Sequence, residues 1–103
     1  MSKIITITSK KQFDEIIKEN KKVFVDFKAE WCGPCKMLHP LIVQVAEQTK
    51  DVTFVEIDVD QNQDLAMEFQ VMSIPTLMMF EDGKNTKKNI GFMPLPKIQE
   101  MVK

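Results

Sequence analysis

The sequence predicts a single α/β domain, built on a mostly parallel β-sheet with an antiparallel edge and with helices on both faces. Three observations predict this fold class. Short β-branched segments alternate with amphipathic helical segments in the order βαβαβαββα. One strand is apolar on both faces, as central strands are, and the last two strands flank a turn pair. The 103 residues leave room for one domain, residues 1–103, because independent cores usually need about 100–150 residues.

The first strand and helix lie at the start of the chain. Ile4 to Thr8 is short and β-branched, which predicts a strand. Ser9 and Gln12 have the spacing of a capping box, so we expect a helix to begin there and to continue to about Asn20. Its apolar residues recur at spacings of three and four and are Phe13, Ile16 and Ile17.

The second strand and helix follow. Val23 to Ala29 carries apolar residues on both faces, which predicts a strand covered on both sides. The next helix extends from about Pro34 to about Thr49. Pro34 suits the first turn, where a missing N–H costs nothing, whereas Pro40 predicts a kink. The apolar stripe of this helix consists of Met37, Leu38, Leu41, Ile42, Val45 and Ala46.

The third strand and helix are shorter. Val52 to Val59 is rich in β-branched and apolar residues, so it predicts a strand. A short helix is expected from about Asn62 to Phe69, because apolar residues again recur at helical spacing. The residues expected to face inward are Leu65, Ala66 and Phe69.

The last two strands are predicted to form an antiparallel hairpin. Thr76 to Glu81 and Lys87 to Ile90 flank Asp82-Gly83, a favourable turn pair. The segment between these strands is longer than two residues, so the turn type stays open. A final helix is expected from about Leu95 to Val102, with Pro96 near its start.

Composition and charge exclude several classes of function. Apolar residues make up 44% and the net charge is -1, so disorder is not expected. All 14 basic side chains are Lys, and without a basic surplus or any Arg we expect no nucleic-acid binding. No apolar run approaches the roughly 18 residues of a membrane span, so we expect no membrane partner. The first residues show no secretory pattern, and the expected compartment is the cytosol.

Two cysteines lie three residues apart, where the second strand gives way to a helix. Within Trp-Cys-Gly-Pro-Cys-Lys at residues 31–36, Cys32 and Cys35 can close a small disulfide ring. The positive end of the helix favours an anion at Cys32, and the thiolate is the form that attacks disulfides. Cys32 is therefore the expected nucleophile. Cys35, further into the helix and less accessible, is expected to resolve the mixed disulfide.

Other roles for the cysteines stay open at this point. A zinc site could use His39 as a third ligand beside the two cysteines. Three ligands without a fourth make a poor structural site, so no metal is expected. Attachment of a c-type haem needs His directly after the second Cys, where Lys36 stands. An inert disulfide or two idle thiols is the remaining alternative. A C-x-x-C pair within a βαβ pattern is more often redox-active.

Two stretches resemble the thioredoxin family. They are DFKAEWCGPCKMLHP at residues 26–40 and SIPTL at residues 73–77, and the length and element order fit the whole chain. The resemblance implies the thioredoxin fold and a disulfide reductase that carries no cofactor. It also implies that oxidised proteins are the substrates and that a thioredoxin reductase, in the family usually an NADPH-dependent flavoprotein, restores the dithiol.

The resemblance assigns roles to residues around the cysteines. Pro75 is expected to be cis and to lie beside the sulfurs, so that the Ile74 backbone can pair with an extended substrate segment. Asp26 is expected to be buried beneath the cysteines, and it does interrupt an apolar strand. Because burial raises a carboxyl pKa, Asp26 could accept or supply the proton of Cys35.

Further residues are assigned to the surroundings of the site. Trp31 is implied to shield the site and to contact substrates. Gly33 and Pro34 are implied to set the loop geometry and hence the redox potential. Gly91 is implied to permit close approach of a substrate, although a turn at the end of a strand is the simpler alternative. The apolar rim of the site is expected to comprise Val59, Ile74, Ile90 and Phe92.

Three residues depart from the family pattern or add charge near the site. Lys28 stands where the family often has a second Trp, and Glu56 stands where many bacterial members have Lys. If Glu56 came close to Asp26, it would raise the pKa of that carboxyl further. His39 is expected to face solvent. None of these residues replaces a cysteine, so we expect them to adjust the redox potential without changing the thiol–disulfide reaction.

Two other functions are compatible with the same fold. An oxidant or isomerase usually has a different pair between the cysteines, often with His, so Gly33-Pro34 speaks against it. A non-catalytic subunit of a larger assembly is the other possibility, but the chain has no partner-specific tail or insertion. A monomer is the default expectation.

Overall fold

The computed structural model describes residues 3–103. Its nine elements follow the predicted order. The strands are β1 (Ile4–Thr6), β2 (Lys22–Lys28), β3 (Thr53–Asp58), β4 (Thr76–Glu81) and β5 (Lys84–Ile90). The helices are α1 (Lys10–Glu19), α2 (Gly33–Gln48), α3 (Gln63–Glu68) and α4 (Leu95–Met101). Residues 1 and 2, part of the segment in which no secretory pattern was found, lie outside the described residues.

The sheet is mixed, and its strand order is β1-β3-β2-β4-β5. The first three of these strands are parallel, whereas β4 runs antiparallel to both β2 and β5. The predicted α/β fold with an antiparallel edge is thereby confirmed. Because the carboxyl ends of β2 and β3 lie at the same edge of the sheet, the loops that follow them meet there.

Two apolar layers enclose the central strand β2. Val23 through Phe27 are all buried, as the two-sided apolar pattern predicts. Phe24 packs with residues of α2 and α4 on one face of the sheet. Phe27 packs with residues of α1 and α3 on the other face. Alternation along the strand therefore places Asp26 on the same face as Phe24, under α2.

The ends of α1 and α2 follow the capping signals. The Ser9 side chain accepts a hydrogen bond from the Gln12 backbone N–H at 3.1 Å, which confirms the predicted start of α1. Cys32 is the N-cap of α2, and Pro34 lies in its first turn. Pro40 lies inside α2, and the kink expected there stays a prediction.

The hairpin corrects one prediction, because β5 begins at Lys84 rather than at Lys87. The loop is therefore two residues long, and both have positive φ, 53° at Asp82 and 82° at Gly83. These angles are those of a type I′ turn, whose twist matches that of the flanking strands. The start of β5 was missed because its exposed, polar residues lack the apolar alternation used to find strands.

A Gly83→Ala variant should lower the free energy of unfolding by about 1 kcal/mol, because a Cβ is disfavoured at positive φ. Steric overlap adds nothing, since the new Cβ would lie 3.7 Å from Ile17 Cγ2. Urea unfolding measures the effect. Gly33→Ala is the control, because its φ is not positive and its Cβ would have no neighbour within 4 Å. Equal losses in both variants would contradict this explanation.

Candidate redox site

Cys32 and Cys35 form a disulfide at the N-terminus of α2, with their Cα atoms 5.3 Å apart. Three loop and turn residues separate Cys32 from the end of β2. The Cys32 backbone is extended (φ -85°, ψ 109°), and its Sγ accepts a hydrogen bond from the Cys35 backbone N–H at 3.2 Å. The sulfur at position 32 thus takes the N-cap position, where helix N–H groups and the helix dipole stabilise negative charge.

Exposure does not distinguish the two sulfurs in this disulfide form. We expected Cys35 to be less accessible than Cys32, but both residues are 3% exposed, so that expectation is wrong here. What distinguishes them is position, since Cys32 is the cap and Cys35 lies within the first turn. The two pack with buried Ala29 and with the partly buried Val59 and Ile74.

The loop before β4 lies against the disulfide. The Ile74–Pro75 peptide bond is cis, as expected, and Pro75 is buried. Its carbonyl accepts a hydrogen bond from the Gly91 backbone N–H at 2.8 Å. Gly91 has a φ of 101°, so the end of β5 uses a backbone conformation that glycine adopts readily. Open space surrounds the position that a Cβ would take there, and the close approach of a substrate stays a prediction.

A groove of about 390 Å³ lies beside the disulfide, because two of its lining residues, Val59 and Ile74, pack against the cysteines. Trp31 forms one side of it and is 70% exposed. The Trp31 Nε1–H donates a hydrogen bond to Asp60 Oδ2 at 2.9 Å, which holds the indole at the edge of the groove. The remaining lining residues are Val59, Val71, Met72, Ser73 and Ile74.

Two members of the expected apolar rim lie outside this groove. Ile90 and Phe92 are exposed, but neither lines it. Sequence reasoning missed Asp60 as a partner of Trp31. The signal was available, because Asp60 follows β3, whose carboxyl end lies beside that of β2.

Asp26 is buried, with 2% of its surface exposed, so its carboxyl does not face solvent. Its Oδ1 has no hydrogen-bond partner among residues 3–103. The pKa of Asp26 is raised from 3.8 to about 7, chiefly because a buried carboxylate loses its hydration. The negative charge of Glu56 raises this pKa as well, and the positive charge of Lys28 lowers it.

The two departures, Lys28 and Glu56, and the additional charged residue His39 meet at the Glu56 carboxylate, and Glu56 is the neighbour of Asp26 across the ladder. Lys28 Nζ lies 3.7 Å from Glu56 Oε2, and His39 Nδ1 lies 3.9 Å from Glu56 Oε1. The Lys28 side chain therefore points toward Glu56 and the cleft that reaches Cys35. His39 faces solvent in part, as expected, with its side chain 46% exposed. Lys28, His39 and Glu56 line a cleft of about 290 Å³ that reaches Cys35.

The described part of the chain offers no metal-binding cluster and no helix suited to a membrane. No three His, Cys, Asp or Glu side chains of residues 3–103 form a group that could hold a metal ion. Among the same residues, no helix has the length and apolar character needed to cross a membrane.

Known proteins share this fold and are similar in sequence. The family model Thioredoxin matches residues 4–103. A thioredoxin from Mycoplasmoides gallisepticum is 48% identical over 97 residues, covering 94% of this chain and 97% of that protein. A Mycobacterium leprae protein named bifunctional thioredoxin reductase/thioredoxin is 44% identical over 88 residues, covering 84% of this chain and 19% of that protein. The solved structure of a mutant thioredoxin from Halobacterium salinarum has a TM-score of 0.91 and 35% identity, covering 96% of this chain and 87% of that chain.

Proposed function

Since the chain belongs to the thioredoxin family and is a thiol–disulfide oxidoreductase, we propose that it reduces protein disulfides in the cytosol. The observation that carries the proposal is the Cys32–Cys35 disulfide at the N-terminus of α2, above the face of the sheet that holds the buried Asp26. A helix N-terminus stabilises a thiolate, which is the form that reacts. The proposed unit is one domain, residues 1–103.

The proposed reaction has two exchange steps. The Cys32 thiolate attacks a substrate disulfide, forms a mixed disulfide and displaces the first substrate thiolate. The Cys35 sulfur then attacks the Cys32 sulfur, so that the Cys32–Cys35 bond forms and the second substrate thiol leaves. Two electrons pass from the dithiol to the substrate. The proton of Cys35 passes to Asp26, and the leaving thiolates take protons from solvent.

Asp26 suits this proton transfer because its pKa of about 7 lies near the operating pH. A group with such a pKa is present in both forms and can accept and return a proton. Its place on β2, under α2, supports a role at the Cys35 side of the disulfide. Asp26 is thus the proposed acceptor during resolution and the proposed donor when the disulfide is reduced again.

Substrates are proposed to bind along the groove beside the disulfide. An extended substrate segment would pair with the Ile74 backbone next to cis-Pro75 and would pass Gly91, where the backbone leaves open space. The exposed Trp31 would cover the other side of that segment. Gly33 and Pro34 are proposed to tune the redox potential through loop geometry rather than by contact.

The proposed partners are oxidised proteins and a thioredoxin reductase. The Mycobacterium leprae relative, whose name joins reductase and thioredoxin in one protein, supports such a partner. We propose that this reductase is an NADPH-dependent flavoprotein and that the chain acts as a monomer without a cofactor, a membrane or a nucleic acid. Two cysteines that serve as a redox pair, with none left to staple the fold, support the cytosol.

The reduction potential of the Cys32–Cys35 pair tests the proposed direction of electron flow. Equilibration in graded thiol buffers, followed by alkylation and mass analysis, gives this value. We expect a potential below the cytosolic glutathione poise of roughly -220 to -260 mV. A potential well above that range would instead identify an oxidant or isomerase.

A Trp31→Ala variant should lose roughly tenfold in kcat/KM for a protein disulfide, because an exposed interface aromatic contributes on the order of 1.4 kcal/mol. Reaction with a small aryl disulfide should change little, since such a molecule does not fill the groove. The matched control is Met37→Ala, which truncates a side chain that is similarly exposed but does not line the groove. An equal loss with both disulfides would argue against docking at Trp31.

A further inference from the structure

Asp26 faces a set of charges contributed by several elements of the fold. Glu56 on β3 is its neighbour across the parallel ladder. Lys28 lies two residues further along β2, on the same face of the sheet. The wider set comprises Glu30 of the loop, Asp58 of β3, and Lys36 and His39 of α2. Cys35 lies at the end of the cleft that several of these groups line.

Glu56 is held in this position from two sides. Lys28 Nζ lies 3.7 Å from its Oε2, and His39 Nδ1 lies 3.9 Å from its Oε1. The Glu56 side chain is only 15% exposed, so bulk water screens its charge less than it would at an open surface. An anion kept at this place opposes a second negative charge on Asp26.

The Lys28–Glu56 pair therefore acts on Asp26 with two opposed charges. Lys28 favours the carboxylate of Asp26, and Glu56 favours its protonated form. Glu56 has a stronger effect than Lys28 on the pKa of Asp26. The pair as a whole therefore favours the protonated form of Asp26. His39 opposes Glu56 when the imidazole is cationic.

We propose that Glu56 is a positioning residue of the resolving step, and that the opposed charges of Glu56 and Lys28 set the pH range over which Asp26 accepts the proton of Cys35. This inference rests on the proposed function, in which Asp26 is that acceptor. Only the carboxylate can take the proton from the Cys35 thiol, so resolution becomes faster as pH rises through the midpoint of Asp26. Glu56 moves this midpoint upward and Lys28 moves it downward.

Two variants that each remove one charge of the Lys28–Glu56 pair separate this role from a structural one. Glu56→Gln and Lys28→Gln both break the same ion pair, so loss of a structural contact should affect both in the same way. An electrostatic role instead moves the midpoint in opposite directions, by about half a pH unit each, which is a roughly threefold change in ionised Asp26 at fixed pH below the midpoint. Lys36→Gln is the control. It removes an exposed cation of the same cleft that has no ion pair among residues 3–103.

Two measurements are made on each variant. The carboxyl ¹³C resonance of Asp26 is titrated in the oxidised protein, which reports its midpoint without any reaction. Stopped-flow mixing of the reduced protein with an aryl disulfide then reports both exchange steps, because the first aryl thiolate released reflects attack by Cys32 and the second reflects resolution by Cys35. The second rate is followed across the neutral pH range, on both sides of the Asp26 midpoint.

We expect Glu56→Gln to lower both midpoints and Lys28→Gln to raise both, with Lys36→Gln unchanged. Midpoints of the ¹³C titration that stay in place, or that move in the same direction, overturn the inference and leave the proposed function intact. A ¹³C midpoint that moves while the pH profile of resolution does not overturns the inference by removing Asp26 as the acceptor. Absence of the first thiolate release in the unmodified protein overturns the proposed function itself.

Discussion

A Cys32→Ser variant will lose protein-disulfide reduction, whereas a Cys35→Ser variant will accumulate mixed disulfides with its substrates. The reason is the division of roles at the N-terminus of α2. Only the sulfur at position 32 occupies the N-cap, where helix N–H groups stabilise a thiolate. A serine hydroxyl does not ionise near neutral pH and cannot perform thiol–disulfide exchange.

The Cys35→Ser variant retains the attacking sulfur but lacks the group that resolves the adduct. A covalent complex should therefore persist until an external thiol releases it. Turnover is measured as reduction of a protein disulfide while an external reductant regenerates the dithiol. The adduct is measured by non-reducing electrophoresis. The control is the double variant with both substitutions, which should form no adduct. Turnover retained by Cys32→Ser would contradict the assigned roles.

Replacement of Asp26 by Asn is expected to make the free energy of unfolding far less dependent on pH. The Asp26 carboxyl has a pKa of about 7 in the folded chain and an ordinary value of 3.8. Between these values the folded state binds the proton and the unfolded state does not, so stability falls as pH rises. The loss is absent below about pH 3.8 and complete above about pH 7.

The size of this effect is large for a single side chain. A pKa that rises from 3.8 to about 7 corresponds to roughly 4 kcal/mol, at about 1.4 kcal/mol for each tenfold change in ionisation. Asn does not ionise, so the stability of Asp26→Asn relative to the unmodified protein should improve by about that amount between about pH 4 and about pH 8. Any constant cost of burying an amide cancels in this difference.

Urea unfolding of both proteins at about pH 4 and about pH 8 measures this change. Glu47→Gln is the control, because it removes an exposed carboxylate from α2. The same Asp26→Asn variant should also resolve mixed disulfides more slowly, since the proposed proton acceptor is gone. If the two proteins show the same dependence on pH, Asp26 is not the buried carboxyl that the structure describes.

The order of the elements could be predicted because each element carries a local signal. The two-sided apolar pattern of Val23 to Ala29 indicated the central strand, and Ser9 with Gln12 indicated the start of α1. The start of β5 could not be predicted in this way. An edge strand at the protein surface needs no apolar alternation, and Lys84-Asn85-Thr86 shows none.

The features of the site that are local in sequence could likewise be predicted, whereas contacts between distant segments could not. Cys32 and Cys35 are close in sequence, so their geometry follows from one turn of helix and could be predicted. The contacts of Glu56 with Lys28 and His39 join three elements and depend on the strand register and on how α2 packs. The pairing of Trp31 with Asp60 likewise joins two loops. Such contacts leave no local signal in the sequence, and Asp60 could be found only from the shared edge of the sheet at which β2 and β3 end.

The outer edge of β5 has a consequence for the behaviour of the protein at high concentration. An edge strand leaves a row of backbone groups without strand partners, and such rows promote sheet-to-sheet aggregation. Here Lys84 and Lys88 stand along that edge. Another copy adding its own β5 would bring lysines against lysines, so like-charge repulsion opposes the growth of a continuous intermolecular sheet. The strand whose start was missed in the sequence thus opposes polymerisation of the molecule.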